Sequence, residues 1–400
     1  MINPSAYGWI EKFFLEQNFE NQSPIIDFVK FYETTRLTGF LVGYTTHFAT
    51  TINIETKGWS NEEFSKIALL NTMFGVYQLM EHSQNQENFI EKCIAFYEKL
   101  HQKSSGLLDK ILPKDSASSN LEKIIATRIQ TNENILSKNF SHILTNALLF
   151  IDVLAFKKFL QHGKISEKYL KRTEEIIVKI VSLALNAKVT KSKYDDLLQK
   201  LFESSVRYSK FNKLEMGSLH DVDLSFLTDD LEKFYLIDIA GMAMWSDSKM
   251  DTSEENFLYK LALKLNISII FVQKSVIEMG SFFTLNKNKI PYFNFSNPVR
   301  HFYDQTTQNV QTLISRNKAR LQLEISQSKE LMKLLAQSTK RELNAEEKKK
   351  VRNQILDICK TIPSLTIFII PGGSLLLPLL IKFIPQLLPS AFNENLSSEK

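Results

Sequence analysis

The sequence predicts an all-α, multi-helical protein, and three observations support this fold class. The 400 residues include only 12 Gly and 10 Pro, too few turn-forming residues for an all-β sandwich or barrel. Hydrophobic residues make up 44% and charged residues 23%, which excludes a disordered chain and a polytopic membrane protein. Apolar residues also recur at helical spacing, as in residues 62–80, where Phe64, Ile67 and Ala68 share one face.

Breaks in the helical pattern divide the chain into four segments. Residues 113–120 (PKDSASSN) form a breaker-rich linker, a second break covers residues 216–224, and a third, rich in Asn and Pro, covers residues 286–298. The predicted segments are an N-terminal helical domain (1–112), a second helical domain (121–282), a basic helical hairpin (299–361) and a hydrophobic hairpin broken by Pro and Gly (362–392).

The basic hairpin is predicted from the spacing of its apolar residues and from a capping pattern that marks where one helix begins. Asn344 and Glu347 have the spacing of a capping box, so a helix should begin at Ala345. N-terminal to this helix, apolar and small residues recur at alternating intervals of four and three residues. This spacing indicates packing against another helix. This seam comprises Leu321, Ile325, Ser328, Met332 and Leu335.

The excess positive charge lies in this hairpin. Residues 300–361 contain 13 Lys and Arg against 7 Asp and Glu, while the whole chain has a net charge of +5. Because the rest of the chain is balanced, no DNA partner is expected. The cations closest to the hydrophobic segment are predicted to contact lipid headgroups or RNA; a solvated helix face is the alternative. They are Lys348, Lys349, Lys350, Arg352 and Lys360.

The hydrophobic segment favours a membrane or a buried hairpin. Between Lys360 and Glu394 the only charged residue is Lys382. A spanning helix needs about 20 apolar residues, but the runs 365–370 and 375–384 are each shorter. A kinked span, a re-entrant hairpin and a hairpin buried in the protein all remain open. The residues predicted to shape the segment are Pro363, Pro371, Gly372, Gly373, Leu377, Pro378, Lys382, Pro385 and Pro389.

An internal near-repeat lies in the second domain. Residues 150–153 (FIDV) resemble residues 236–239 (LIDI), and each is followed by an apolar helix, a polar turn and another helix. Asp152 and Asp238 stand in apolar surroundings. We expect both to be buried and bonded to backbone or to a lysine.

The second copy resembles the tellurite-resistance TerB-like family over residues 242–267, and the whole second domain, 121–282, is predicted to be TerB-like if both copies belong to it. This resemblance implies an all-helical domain that is linked to stress responses and to membrane-associated complexes. Separately, the cytoplasmic helices are expected to bind a protein partner that the sequence does not identify. The residues that carry the resemblance are Met242, Ala243, Met244, Asp247, Glu254, Glu255, Leu261 and Ala262.

An acidic turn in this segment is a candidate divalent-cation site. Its carboxylates are Asp247, Asp251, Glu254 and Glu255, and hard cations prefer several carboxylate oxygens. The spacing does not fit an EF-hand. The alternative is helix capping, with Thr252 and Glu255 predicted as a capping box. No other cofactor is expected.

Residues 345–392 are similar to the Letm family, the leucine-zipper/EF-hand transmembrane proteins of the mitochondrial inner membrane, and to their bacterial relatives. The shared residues are Pro363, Pro371, Leu376, Leu377, Pro378, Lys382, Pro385, Leu388, Pro389, Ser390 and Phe392. The resemblance implies an inner-membrane element, a ribosome-binding-like domain and cation transport. Ser374 stands where the family has an acidic residue, which argues against transport. Bacterial relatives with this pairing carry a biofilm-associated label.

Enzymatic activity is not predicted. GxGxxG, Walker A, HExxH, CxxC and GxSxG motifs are all missing from the sequence. The first 19 residues lack the basic start of a signal peptide, so we expect a cytoplasmic body. The leading hypothesis is a membrane-associated helical scaffold, stress- or biofilm-linked, held at the inner membrane by residues 362–392. The alternatives are cation transport or homeostasis, ribosome binding, and a soluble helical adaptor with the hydrophobic hairpin buried.

Overall fold

The computed structural model confirms the predicted all-α class. It describes residues 2–19, 27–100, 116–129, 148–188, 218–244, 251–286, 311, 314–338, 341–362 and 365, and every regular element in these ranges is a helix. The chain divides into two units. The first comprises Met1–Thr56, Asn61–Asn132 and Ser141–Ser296, and the second comprises Lys57–Ser60, Glu133–Phe140 and Asn297–Lys400.

The first unit contains both segments that the sequence separates at residues 113–120. Helix α5 already begins within that linker, and the boundary itself stays a prediction. The described helices of this unit are α1 (Trp9–Gln17), α2 (Phe28–Leu37), α3 (Asn61–Glu81), α4 (Gln86–Leu100), α5 (Ala117–Ile129), α6 (Phe150–His162), α7 (Glu167–Ala187), α8 (Asp230–Met244), α9 (Thr252–Leu265) and α10 (Ile269–Asn286).

The core of the first unit is built around two helices that are buried on most sides, α8 and α3. Helix α8 buries 13 of its 15 residues and packs against α7, α9 and α10, which is the pattern of a central helix. Helix α3 packs in the same way against α5 and α6. Aromatic rings fill the space near α3 edge to face: the ring centroids of Phe14 and Phe74 lie 4.9 Å apart, and those of Phe74 and Phe89 lie 5.1 Å apart.

Helix α1 is capped by a residue distant in sequence. Glu122 on α5 accepts the backbone N–H of Ile10 at 3.0 Å and that of Gly8 at 3.1 Å. A carboxylate is favoured at a helix N-terminus, where backbone N–H groups have no partner inside the helix. Burial raises the pKa of this carboxyl group, and the hydrogen bonds from the α1 backbone oppose that rise.

The turn before α9 corrects the predicted capping box. Asp251, not Thr252, is the N-cap, and its side chain accepts the N–H groups of Ser253 and Glu254, while Glu254 accepts the N–H of Asp251. The predicted box is therefore displaced by one residue. Its chemistry is unchanged, because Asp and Glu serve in these positions as well as Thr and Glu.

The second unit contains three described helices that pack on one another. They are α11 (Lys318–Gln327), α12 (Lys329–Ser338) and α13 (Ala345–Thr361). Leu321, Ile325 and Leu335 of the predicted seam are buried. Ser328 divides the seam, because it ends α11 and its hydroxyl accepts the N–H of Leu331 at the start of α12.

The core of the second unit is wholly apolar within the described residues. Val351, Ile355 and Ile358 on α13 pack with residues of α11 and α12 in one hydrophobic cluster. Cys359 joins this cluster, and burial raises the pKa of its thiol to about 12. These contacts fix which side of α13 faces the bundle and which side faces outward.

Candidate nucleic-acid interface

Helix α13 begins at the predicted residue. Asn344 is the N-cap: its side chain accepts the N–H of Glu347 at 2.9 Å, and the Glu347 carboxylate accepts the N–H of Asn344 at 2.9 Å. Arg341 adds two hydrogen bonds to Glu347, at 2.8 and 2.6 Å. The bond from Arg341 is the main reason that the pKa of Glu347 falls to about 2. The start of the helix is therefore fixed by local chemistry.

The outward side of α13 is basic. All five cations that the sequence singles out here are exposed, and we call them the basic face: Lys348, Lys349, Lys350, Arg352 and Lys360. They are exposed because the apolar positions of the same helix are used by the bundle core. This arrangement agrees with the predicted contact surface but does not identify its ligand.

Three of these cations already have acidic partners on the protein. Lys350 donates to Glu330 of α12 at 3.1 Å, Lys360 donates to Asp357 at 2.6 Å, and Lys348 lies 3.9 Å from Glu342. Among the described residues, no acidic group pairs with Lys349 or Arg352. The two side chains are thus available to an anionic partner without the loss of an ion pair.

Four residues form a line along this surface. Lys349, Arg352, Leu356 and Lys360 follow one another at intervals of three, four and four, so they share one side of the helix. We call this line the α13 stripe. Leu356 is only partly buried and packs against the core below it. The stripe therefore presents three cations above an apolar base.

The residues predicted to shape the hydrophobic segment, from Pro363 to Pro389, all lie outside the described residues. Of the geometries considered for residues 362–392, none is tested. Among the helices that the structure describes, none is long and apolar enough to cross a membrane.

The structure describes only part of the acidic turn that was predicted as a cation site. Asp247 lies outside the described residues, whereas Asp251 and Glu254 form the capping box of α9. Hydrogen bonds from Ser253 and Glu254 lower the pKa of Asp251. Buried Glu254 also lies 3.7 Å from buried Lys188. The described part of the chain holds no group of three or more potential metal ligands, and the cation site stays a prediction.

The two aspartates of the near-repeat are buried, as predicted, but their partners are different from those expected. Asp152 receives two hydrogen bonds from Arg128, at 2.7 and 2.5 Å, and one from the Tyr97 hydroxyl at 3.1 Å. An arginine can satisfy both carboxylate oxygens at once, which neither a lysine nor one backbone N–H can do. The expectation of a lysine or backbone partner was wrong here.

Asp238 has the corresponding set of partners in the second copy. Arg36 Nε lies 2.9 Å from its carboxylate, and the hydroxyl groups of Tyr32 and Ser275 donate to it. Burial raises the pKa of Asp238, and the charge of Arg36 opposes that rise. Sequence reasoning missed the arginines because they lie on other helices, α2 and α5, outside the repeated motif. We assign both clusters a role in packing.

A comparison with known families bears on the C-terminal region. A family model described as "LETM1-like, RBD" matches residues 343–400. The C-terminal segment is thus similar to a LETM1-like ribosome-binding domain. The match begins just before the N-cap of α13 and includes the whole basic face, so the Letm-type resemblance is supported over this segment. The TerB-like resemblance and the biofilm label stay predictions. No curated protein and no solved structure matches the chain.

Proposed function

We propose that this chain is a non-enzymatic, Letm-related protein that binds ribosomes through the basic face of α13. One observation carries the proposal: the segment that matches a ribosome-binding domain includes a helix whose apolar side is buried and whose outer side bears five exposed cations. Ribosomes present a dense array of phosphates, and clustered Lys and Arg are the side chains that bind such arrays.

Co-sedimentation of the full chain with purified ribosomes tests this function. The informative variant is Lys349→Glu with Arg352→Glu. The matched control, Lys329→Glu with Lys333→Glu, changes the same charge on exposed positions of α12, outside residues 343–400. We expect the α13 variant to lose at least about tenfold in affinity and the α12 variant to bind as the wild type does. Equal binding by all three proteins, or no binding by the wild type, would contradict the proposal.

The proposal includes membrane association through residues 362–392. It is supported by the sequence alone: a nearly uncharged apolar stretch that directly follows clustered Lys and Arg. The partner would be the inner membrane, with the helical units on its cytoplasmic side. Cell fractionation after deletion of residues 361–400 tests this part. If the full-length and shortened chains both stay in the soluble fraction, the anchor is wrong, while ribosome binding remains a separate question.

A further inference from the structure

We infer that the α13 stripe binds the phosphates of an RNA backbone, with Lys349 and Arg352 as its principal contacts. This inference rests on the proposed ribosome association and narrows it to one kind of ribosomal component. It also separates the members of the basic face that have no described acidic partner from those that do. Lys349 and Arg352 have none, whereas Lys348, Lys350 and Lys360 pair with acidic groups of the protein.

The division follows from the ion pairs. Lys350 bridges α13 to α12 through Glu330, which also accepts a hydrogen bond from Gln354 at 2.8 Å. A ligand that took Lys350 would have to break this bridge. Lys349 and Arg352 have no such partner within the described ranges. A phosphate can therefore bind both side chains without displacing an acidic group.

The shape of the stripe suits a linear anion. At about 1.5 Å per residue, Lys349 and Arg352 are separated by about 4.5 Å along the helix axis, and Lys349 and Lys360 by about 16 Å. Cations in a row along one helix face can follow successive phosphates of a strand. Arg352 adds a planar fork of N–H donors, which matches phosphate oxygens in pairs.

The buried side of α13 favours RNA over a lipid surface. A helix that lies on a bilayer inserts an apolar face below its cations. In α13 the apolar residues Val351, Ile355 and Ile358 are buried in the protein core, and Leu356 is partly buried. Leu356 is the one apolar residue of this stripe that is partly exposed, and a single side chain does not make an inserting face, so binding should depend on charge and hydrogen bonds.

The composition of α13 predicts binding that does not depend on base sequence. The helix sequence, AEEKKKVRNQILDICKT, contains no aromatic residue on which a base could stack. Contacts from Lys and Arg to phosphates position a protein on nucleic acid without reading the bases. Two RNA duplexes of different sequence should therefore bind equally well.

The test measures binding of the full chain to two short RNA duplexes of unrelated sequence, over a series of KCl concentrations. The variant is Lys349→Gln with Arg352→Gln, and the control is Lys329→Gln with Lys333→Gln on α12. Vesicles of phosphatidylcholine and phosphatidylglycerol form a second probe, and purified ribosomes a third. Circular dichroism checks that each variant keeps the wild-type helix content.

We expect both duplexes to bind alike, with log K falling linearly with log [KCl]. Loss of two phosphate contacts should weaken binding at least about tenfold and reduce the magnitude of this slope by about 2, whereas the control keeps the wild-type slope. Vesicle binding should not change with either variant.

Three results would overturn the inference. Ribosome binding without binding to either duplex would assign the stripe to a ribosomal protein, and the proposed function would stand. An unchanged salt slope in the Lys349 and Arg352 variant would remove these residues as contacts. Vesicle binding that falls with the same variant would assign the stripe to lipid headgroups. If ribosomes do not bind at all, the proposed function itself fails.

Discussion

The two units place their charges in opposite ways. In the first unit, two arginines lie in the interior: Arg36 is buried against Asp238, and Arg128 is buried against Asp152. In the second unit, the described core contains no charged side chain, and the cations of α13 stay on the surface. A buried charge needs one particular partner in one geometry, whereas an exposed charge is free to meet another molecule.

This difference separates two uses of the same residue types. Each buried arginine of the first unit joins two helices, α2 to α8 and α5 to α6. Their loss should affect folding. The exposed cations of the second unit contribute little to stability, because surface ion pairs are weak. Their loss should affect binding.

The largest expected effect is on stability, from Arg36→Met. The substitution leaves Asp238 buried without its cation and also removes the 2.9 Å contact to Glu278. Breaking one side of a buried ion pair typically costs about 3–5 kcal/mol of unfolding free energy. The control is Lys12→Met, which removes an exposed pair with Glu16 at 3.9 Å and should cost less than about 1 kcal/mol. Urea denaturation measures both, and equal losses would contradict the buried role of Arg36.

In the second unit, stability should depend on apolar residues instead. Ile355 is 1% exposed in the core of the bundle, and Ile355→Ala should cost about 2–5 kcal/mol from lost burial and the cavity that remains. The double variant Lys349→Gln with Arg352→Gln should leave the unfolding free energy nearly unchanged. Chemical denaturation followed by a probe in the second unit checks both. A double variant as unstable as Ile355→Ala would mean that the stripe has a packing role.

The smallest effect concerns the start of α13 and depends on pH. The pKa of Glu347 is lowered to about 2 in the folded protein, so its carboxylate stabilises the fold above the unfolded pKa. This contribution is lost as the pH falls through about 2. Glu347→Gln should therefore lower Tm slightly at neutral pH, and the difference from wild type should disappear in acid. Glu346→Gln, an exposed first-turn residue without a described hydrogen bond, is the control. A Tm difference that does not shrink as the pH falls from neutral towards 2 would rule out this explanation.

The sequence predicted features that depend on neighbouring residues. The start of α13 followed from Asn344 and Glu347, which are three residues apart. The break at Ser328 was missed because neither Gly nor Pro marks it. A serine hydroxyl that caps the next helix gives only a weak signal in sequence.

The sequence could not predict contacts between distant residues. Tyr32 and Arg36 stand one turn apart on α2, more than 200 positions before their partner Asp238. In the other copy, Tyr97 and Arg128 come from two different helices. The near-repeat marked both aspartates, but no pattern marked the arginines. The basic face was predicted as a group of five, while only the structure separated its paired from its unpaired members.

The central claim is that cations of the second unit, rather than cations in general, bind the partner. Its most direct test is the affinity for ribosomes of two proteins with the same charge change. One carries Lys349→Glu and Arg352→Glu, and the other carries Lys30→Glu and Lys260→Glu on exposed sites of the first unit. We predict at least about a tenfold loss for the first and wild-type affinity for the second. Equal losses in the two proteins would contradict the claim and reduce binding to overall charge.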